Sequence, residues 1–327
     1  MTVEIQANLN SSFYKKLLSG VLGTPLVLML IVILIITGIF SPRSLHPKNI
    51  VAVIKMAPVM GTIAIGQTIV ILSGNIDFST GFVTTFILTL SSGLMNSRNE
   101  AALWASLVCL LVGALIGLFN GFLITFTGAD SLVCTLATGS IVQGIYLIYT
   151  KGAPKGGIPS VIRYIGGSGK IAGVMPVPIL FWLVLSLIFL YILNKTRFGR
   201  SIYYIGSNPI AAHYSGIKIN KIIILAFVIC GLTSSIAGLL LGGFLGVGTL
   251  QLNVLDFSFI PIISVIVGGT SFVGGIGGVG YTILGTFTMQ YLLNLLTILH
   301  IQYWGKTILQ GVIIGIIVGF NMYRMKK

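Results

Sequence analysis

The chain has 327 residues, of which 55% are hydrophobic and 7% charged, and it carries a net charge of +14. Its mean hydropathy is +1.05, whereas a soluble domain carries about 25% charged residues, so most of this chain cannot face water. The basic residues are scattered over short loops and form no stripe interleaved with stacking aromatics, which argues against nucleic acid as a partner.

Long apolar runs that lack period-two alternation point to helices crossing a bilayer rather than to a barrel. A polar tail over 1–20 carries Lys15 and Lys16 and leads into a first run over 21–40 with no A-x-A cleavage site. It reads as an uncleaved span. Pro42 and Pro47 mark a tight loop, and the second run covers 50–73 with Lys55 near its start. The segment 66–81, GQTIVILSGNIDFSTG, breaks the apolar pattern at Gly74-Asn75. A third run goes on to about Met95, and further runs cover 101–126, 132–149, 179–193, 222–245, 257–267, 279–299 and 307–322, with a Gly/Pro-rich polar loop over 151–178. The fold class expected is an all-α polytopic membrane protein of about ten segments, some broken or re-entrant. It is expected to form a single domain over 1–327.

An even number of spans places both termini and the island 194–221 on one side. That side holds Lys15, Lys16, Lys195, Arg197, Arg200, Lys218, Lys221 and the basic tail. The excess of basic loop residues makes it the cytoplasmic side of the inner membrane. Glycines recur at i+4 as Gly113-Gly117-Gly121, Gly238-Gly242-Gly246 and Gly311-Gly315-Gly319; such faces let helices approach closely, within a subunit or between copies. The stretches GNIDFSTG at 74–81 and GGTSFVGG at 268–275 echo one another, and paired interruptions of this kind mark a transport path.

Several motifs mislead. Gly275, Gly277 and Gly280 satisfy G-x-G-x-x-G, but no acid follows Asp256, as a dinucleotide site requires. Gly305-Lys306-Thr307 resembles the end of a phosphate loop, yet His300 stands where its first glycine belongs. His46, His213 and His300 lack metal-ligand spacing. Cys109, Cys134 and Cys230 lie in apolar runs and read as small core residues. No catalytic or metal-ligating residues are expected, no cofactor bound by this chain, and no ATP hydrolysis by it.

Polar residues inside the runs are the candidates for function. Asp77 is flanked by apolar sequence on both sides, which marks a functional candidate. It also stands where it would cap a helix beginning at Phe78. Gln67, Asn75, Asn120, Gln143 and Asn294 are placed either to line a hydrated path or to bond across helices. The island contains a compact helix signature: Ser207 or Asn208 as cap, Pro209 at the first helical position, and Gly216 as a left-handed stop. Between them lie Ile210, Ala211, Ala212, His213, Tyr214 and Ser215, two turns that suit docking into another protein's groove.

These residues resemble the permease subunits of ribose-type ABC sugar importers. The likeness is carried by Gly74-Asn75-Ile76-Asp77-Phe78-Ser79, Asn120-Gly121, Thr135-Leu136-Ala137-Thr138-Gly139-Ser140, and Thr196-Arg197-Phe198-Gly199-Arg200. It continues through Ile205-Gly206-Ser207-Asn208, Ala211-Ala212, Ser215-Gly216-Ile217 and Gly268-Gly269-Thr270-Ser271. The sequence departs from the family pattern at Asn75, Phe78, Asp130-Ser131 and Pro209-Ile210. The resemblance implies a pore of two permease copies, identical or paralogous, in the lipid bilayer. A cytoplasmic ATP-binding subunit would carry ATP and Mg and dock on Ser207, Asn208, Pro209, Ala211, Ala212, His213, Ser215 and Gly216. An extracytoplasmic binding protein would deliver a simple sugar, a nucleoside or a related polar solute. Gln67, Asn75, Asp77, Asn120, Thr138, Thr270 and Ser271 are the expected path residues. An ion-coupled secondary transporter using Asp77 is the competing class, and a lipid enzyme a third.

Overall fold

The helices are arranged so that two interrupted pairs point the same way and meet at their tips. The computed structural model describes residues 25–325 apart from Ala172, Val174, Gln251 and Leu252. The expected tail over 1–20, with Lys15 and Lys16, lies outside the described residues, as do Lys326 and Lys327.

Helix α1 (Pro25–Phe40) is followed by a 3-10 turn (Pro42–Leu45) and by α2 (Pro47–Ile54). The run expected over 50–73 is divided at Lys55-Met56, and α3 covers Ala57–Leu72. Pro58 explains the restart, because a proline in the first turn of a helix has no N–H to satisfy. After the break comes α4 (Thr80–Met95), beginning two residues later than Phe78. Helices α5 (Ala102–Thr127) and α6 (Ser131–Thr150) follow. The polar loop folds into a helical turn α7 (Ser160–Arg163), a π turn (Tyr164–Ser168) and a small hairpin of β1 (Lys170–Ile171) and β2 (Met175–Pro176). Helix α8 (Val177–Lys195) enters the island, which holds α9 (Arg197–Ser207) and α10 (Pro209–Tyr214). Then come α11 (Ile219–Leu245), α12 (Asp256–Val267), α13 (Val279–Ile298) and α14 (Tyr303–Met325).

Among the described residues, 4 helices are long and apolar enough to cross a membrane, namely those at 99–127, α6, α8 and α11. Shorter apolar helices include α3, α4 and α12. The chain is thus an all-α membrane protein, and the lipid-facing side is visible in Leu103, Leu107, Leu111, Leu115 and Phe126, all exposed along α5.

Helix α11 is the axis. Along it α3 runs antiparallel: Val59 and Met60 cluster with Leu240 and Leu241, Gly66 abuts Cys230, and Leu72 joins Ala226 and Phe227. Helix α4 runs back the other way, with Thr84 Oγ1 donating to the Ser234 carbonyl at 3.2 Å and Ile87 packed on Gly238. The second pair repeats this. Helix α12 runs alongside α3, with Ile260 near Met60 and Ile266 near Ile71; α13 returns, with Thr282 and Thr68 hydroxyls 2.7 Å apart.

All 16 residues of α3 are buried, an arrangement that lipid alone does not drive; small residues at the seams make it possible. A Cβ on Gly113 would lie 1.8 Å from Ser235 Oγ, and one on Gly117 would lie 2.2 Å from the Phe227 carbonyl oxygen. Gly238 and Gly242 likewise face Ile87 and Leu88. Two of the three glycine series therefore serve packing within one subunit. Gly311, Gly315 and Gly319 differ, since among the described residues a Cβ on any of them meets nothing within 4 Å. Gly113→Leu is expected to cost at least the 1–3 kcal/mol typical of overpacking and to lower the thermal midpoint of the detergent-solubilised protein sharply. Gly315→Leu, on a face open within the described chain, should lower that midpoint less than Gly113→Leu.

Candidate functional site

After α3 the Gly74 and Asn75 N–H groups still donate back to the Ile71 and Val70 carbonyls, but the backbone groups of Ile76 to Ser79 lie within the bundle beyond the reach of that helix ladder. Unpaired polar backbone is costly in such surroundings, and the structure pairs it with side chains from α3 itself and from two other helices, α6 and α12. The Gln67 carboxamide reaches across the break, donating through Nε2 to the Asp77 carbonyl and accepting from the Asp77 N–H at 3.5 Å. Ser131 Oγ accepts from the Ile76 N–H at 3.1 Å, and Thr135 Oγ1 accepts from the Phe78 N–H at 3.0 Å. Ser258 Oγ donates to the Phe78 carbonyl at 2.8 Å and accepts from the Gly81 N–H at 3.1 Å.

Asp77 is 1% exposed. Its Oδ1 accepts from the Ser79 N–H at 2.9 Å and the Ser79 hydroxyl at 2.6 Å, and the Cys230 thiol is a further partner. The carboxylate thus closes the turn that begins α4. Asn120, fully buried on α5, donates through Nδ2 to Ser79 Oγ at 2.9 Å, so Gln67, Asp77 and Asn120 form one connected group. The Asn120 Oδ1 and the buried Thr138 Oγ1 on α6 have no hydrogen-bond partner among the described residues. Asn75 turns back on its own loop, to Ser73 Oγ at 3.1 Å.

Thr270 and Ser271 lie in the second break. Thr270 Oγ1 accepts from the Gly278 N–H and Ser271 Oγ from the Val273 N–H, both at 3.3 Å. The two breaks, echoes of one another in sequence, touch in space. The Gly275 N–H donates to the Leu72 carbonyl at 3.0 Å, and a Cβ on Gly274 would lie 2.8 Å from the Gly74 nitrogen.

The island meets this junction directly. A Cβ on Gly206 would lie 1.9 Å from the Leu72 carbonyl oxygen and 2.5 Å from the Gly275 nitrogen, and one on Gly275 would lie 2.8 Å from the Ser207 nitrogen. The Tyr203 hydroxyl donates to the Gly277 carbonyl at 2.9 Å. Helix α9, capped by Thr196 accepting from the Gly199 N–H at 3.2 Å, buries Ile202 and Ile205. Sequence reasoning missed α9; its signal is Phe198, Ile202 and Ile205 at i, i+4, i+7.

In α10 it is Asn208, not Ser207, that caps: its Oδ1 accepts from the Ala211 N–H at 3.0 Å. Pro209 opens the helix and Gly216 closes it at φ +78°. Ser215 Oγ donates back to the Ala211 carbonyl at 2.9 Å. Ala212 is 3% exposed and seats the helix, whereas Ile210 at 71% and Tyr214 at 85% stand free one turn apart. His213 lies on that outer side, its ring 5.9 Å from that of Tyr214. A cleft of about 630 Å³ opens beside α10, lined by Arg197, Arg200, Tyr204 and Asn208 among others.

The departures from the family pattern have local explanations. Ser131 supplies a partner to the break, while Asp130 Oδ1 caps α6 by accepting from the Leu132 N–H at 2.8 Å. Phe78 stacks edge-on against Phe259 with centroids 5.1 Å apart. Ser131, Thr135 and Ser258 were not singled out as site residues from sequence, because a serine or threonine serving a distant loop has no local signature. Gln67→Leu leaves both polar groups of the Asp77 peptide without their partner, at an expected cost of about 1–3 kcal/mol per group. Thermal unfolding in detergent should show the loss, with Gln67→Glu, which keeps an acceptor, less affected than Gln67→Leu.

A family model described as branched-chain amino acid transport system / permease component matches residues 49–318. The chain is 33% identical to the ribose import permease protein of Bacillus subtilis (strain 168), over 88% of this chain and 89% of that protein. It is 31% identical to the ribose import permease protein of Haemophilus influenzae, over 90% and 91% of the two chains. The D-allose transport system permease protein of Escherichia coli (strain K12) is 31% identical, over 88% of each. No solved structure matches the chain significantly. With the model matched over most of its length and these relatives covered nearly end to end, the chain belongs to the family of transport-system permease components, and within it to the kind that the ribose import permeases represent.

Proposed function

We propose that the chain is the membrane-spanning permease subunit of an ATP-driven, binding-protein-dependent importer of a simple sugar in the inner membrane. The relatives named for ribose and allose import supply the substrate class. The observation that carries the mechanism is the backbone contact of Gly206 and Ser207 with Leu72 and Gly275, which ties the island to both breaks.

In this reading a cytoplasmic subunit binds and hydrolyses ATP with Mg and docks on residues 207–216, using the exposed Ile210 and Tyr214 and the Arg-lined cleft beside them. Ser207, Asn208, Pro209, Ala211, His213, Ser215 and Gly216 shape the helix it meets, and Ala212 anchors that helix to the permease. Closure of the ATP-binding subunits pushes α10 and α9, and α9 bears on the tips of both helix pairs. Both termini lie on the same cytoplasmic side.

The path follows the polar residues at the tips. Gln67, Asn75, Asp77, Thr270 and Ser271 hold the two breaks, and the spare oxygens of Asn120 and Thr138 support a place beside a hydrated route. A second permease copy packs on the open glycine face of Gly311, Gly315 and Gly319. An extracytoplasmic binding protein delivers the sugar at the far end.

Replacing Ile210 and Tyr214 with Asp should abolish co-purification of the ATP-binding subunit and stop uptake, while leaving the permease as well folded as the parent. Uptake into proteoliposomes should require ATP and withstand a proton or sodium ionophore. Uptake that ran without ATP and collapsed with the ionophore would establish secondary transport instead.

A further inference from the structure

At the end of the bundle away from the glycine junction, α12, α13 and α14 surround a cleft of about 380 Å³. Its polar lining follows helical spacing on two facing elements. Helix α13 contributes Gln290, Asn294 and Thr297 at i, i+4, i+7, and α14 contributes Tyr303, Lys306 and Gln310 at i, i+3, i+7. Asp256, at the start of α12, completes it. These groups are held in place before any ligand arrives. The Asp256 carboxylate shares the cleft with Gln310, Tyr303 and Lys306. The Lys306 ammonium in turn donates to Thr297 Oγ1 at 2.7 Å. Gln310 is 6% exposed.

The size falls in the range of small-molecule pockets, about 300–1,000 Å³. One acceptor-only carboxylate and one donor-only ammonium cancel in charge, and the carboxamides both donate and accept. That combination disfavours an ion of either sign and suits hydroxyls, each of which donates once and accepts twice.

We infer that this cleft is the intake site of the permease, where a neutral polyhydroxylated solute of monosaccharide size is held between its release by the binding protein and its passage to the glycine junction. The assignment rests on the importer reading above. Asp256, Gln310 and Asn294 bond the hydroxyls, and the Tyr303 ring offers a face for the sugar's C–H groups. The binding protein selects the solute first, and this cleft selects it again.

The test uses the complete importer in proteoliposomes with D-ribose as probe. Asp256→Asn and Gln310→Leu should each reduce D-ribose uptake about tenfold, the loss expected for one hydrogen bond to a charged or buried partner. Stimulation of ATP hydrolysis by the binding protein should be retained. Independently, Asn294→Cys should be labelled by a membrane-impermeant thiol reagent from the binding-protein side, against a background of buried native cysteines. D-ribose should protect it and L-leucine should not. Unchanged uptake in both variants, or no protection by D-ribose in an importer that transports it, overturns the inference and leaves the importer reading standing. Protection by L-leucine alone also overturns it, because a zwitterion would then be using the two charges. Labelling only from the ATP-binding side, or no ATP-dependent uptake by the parent complex, sinks the orientation or the importer reading and the intake site with it.

Discussion

A membrane helix that stops inside the protein exposes peptide groups that neither lipid nor water can satisfy, and this constraint shapes the centre of the molecule. At the end of α3 the chain leaves its ladder, and from Ile76 to Ser79 side chains stand in for the missing helical bonds. Gln67 does so most completely, meeting both polar groups of the Asp77 peptide. Ser131, Thr135 and Ser258 answer for Ile76, Phe78 and Gly81. For those donors and acceptors to arrive, α6 and α12 must come close to the break, as must α5, whose Asn120 bonds Ser79, and glycines at the seams allow such approach. The polar break and the glycine seams therefore depend on one another: without close approach the break loses the side chains that serve it.

The same closeness determines how force can travel. Where Gly206 lies against Leu72, and Gly275 against Ser207, main chain touches main chain. Between Gly206 and the Leu72 carbonyl no flexible side chain intervenes to absorb a displacement, and packed interiors yield little. A shift of α9 by a fraction of an ångström has to be taken up by the tips of both helix pairs. Since α3 and α12 run together and their breaks share this contact, they answer as a unit. On the proposed reading, a single contact at the island controls both halves of the gate.

Much of this was legible in the sequence because the physics is local. Apolar runs, caps and breaks depend on neighbouring residues, so α5, α6, α8 and α13 fall within a residue or two of expectation, and α10 has the expected proline start and glycine stop. The similarity of 74–81 to 268–275 indicated a pair of interruptions, but not that they touch; contact across such a distance along the chain leaves no mark on composition. Helix α9 was legible in principle, from the spacing of Phe198, Ile202 and Ile205, and was hidden by the basic residues around it. The polar stripe of Gln290, Asn294 and Thr297 was visible only in part, as a lone Asn294, because a stripe on one helix gains meaning from the stripe that faces it.

The start of α10 shows how a departure in sequence redirects a mechanism. Pro209 and Ile210 open α10, whose sequence holds no acid, so no side-chain negative charge meets the positive end of the helix dipole. Asn208 compensates at the cap, so the helix survives without the acids. The surface it offers is changed more than its fold: Ile210 and Tyr214 form an apolar patch on an otherwise basic island. An apolar contact gains from burial, about 25 cal/mol per Å², and is weakly screened, whereas a pair of exposed charges fades beyond about 8 Å at physiological salt. On the proposed reading the partner is therefore gripped by burial at Ile210 and Tyr214. The arginines of the neighbouring cleft then set orientation more than strength, and the island transmits displacement even where ionic strength has weakened its charges.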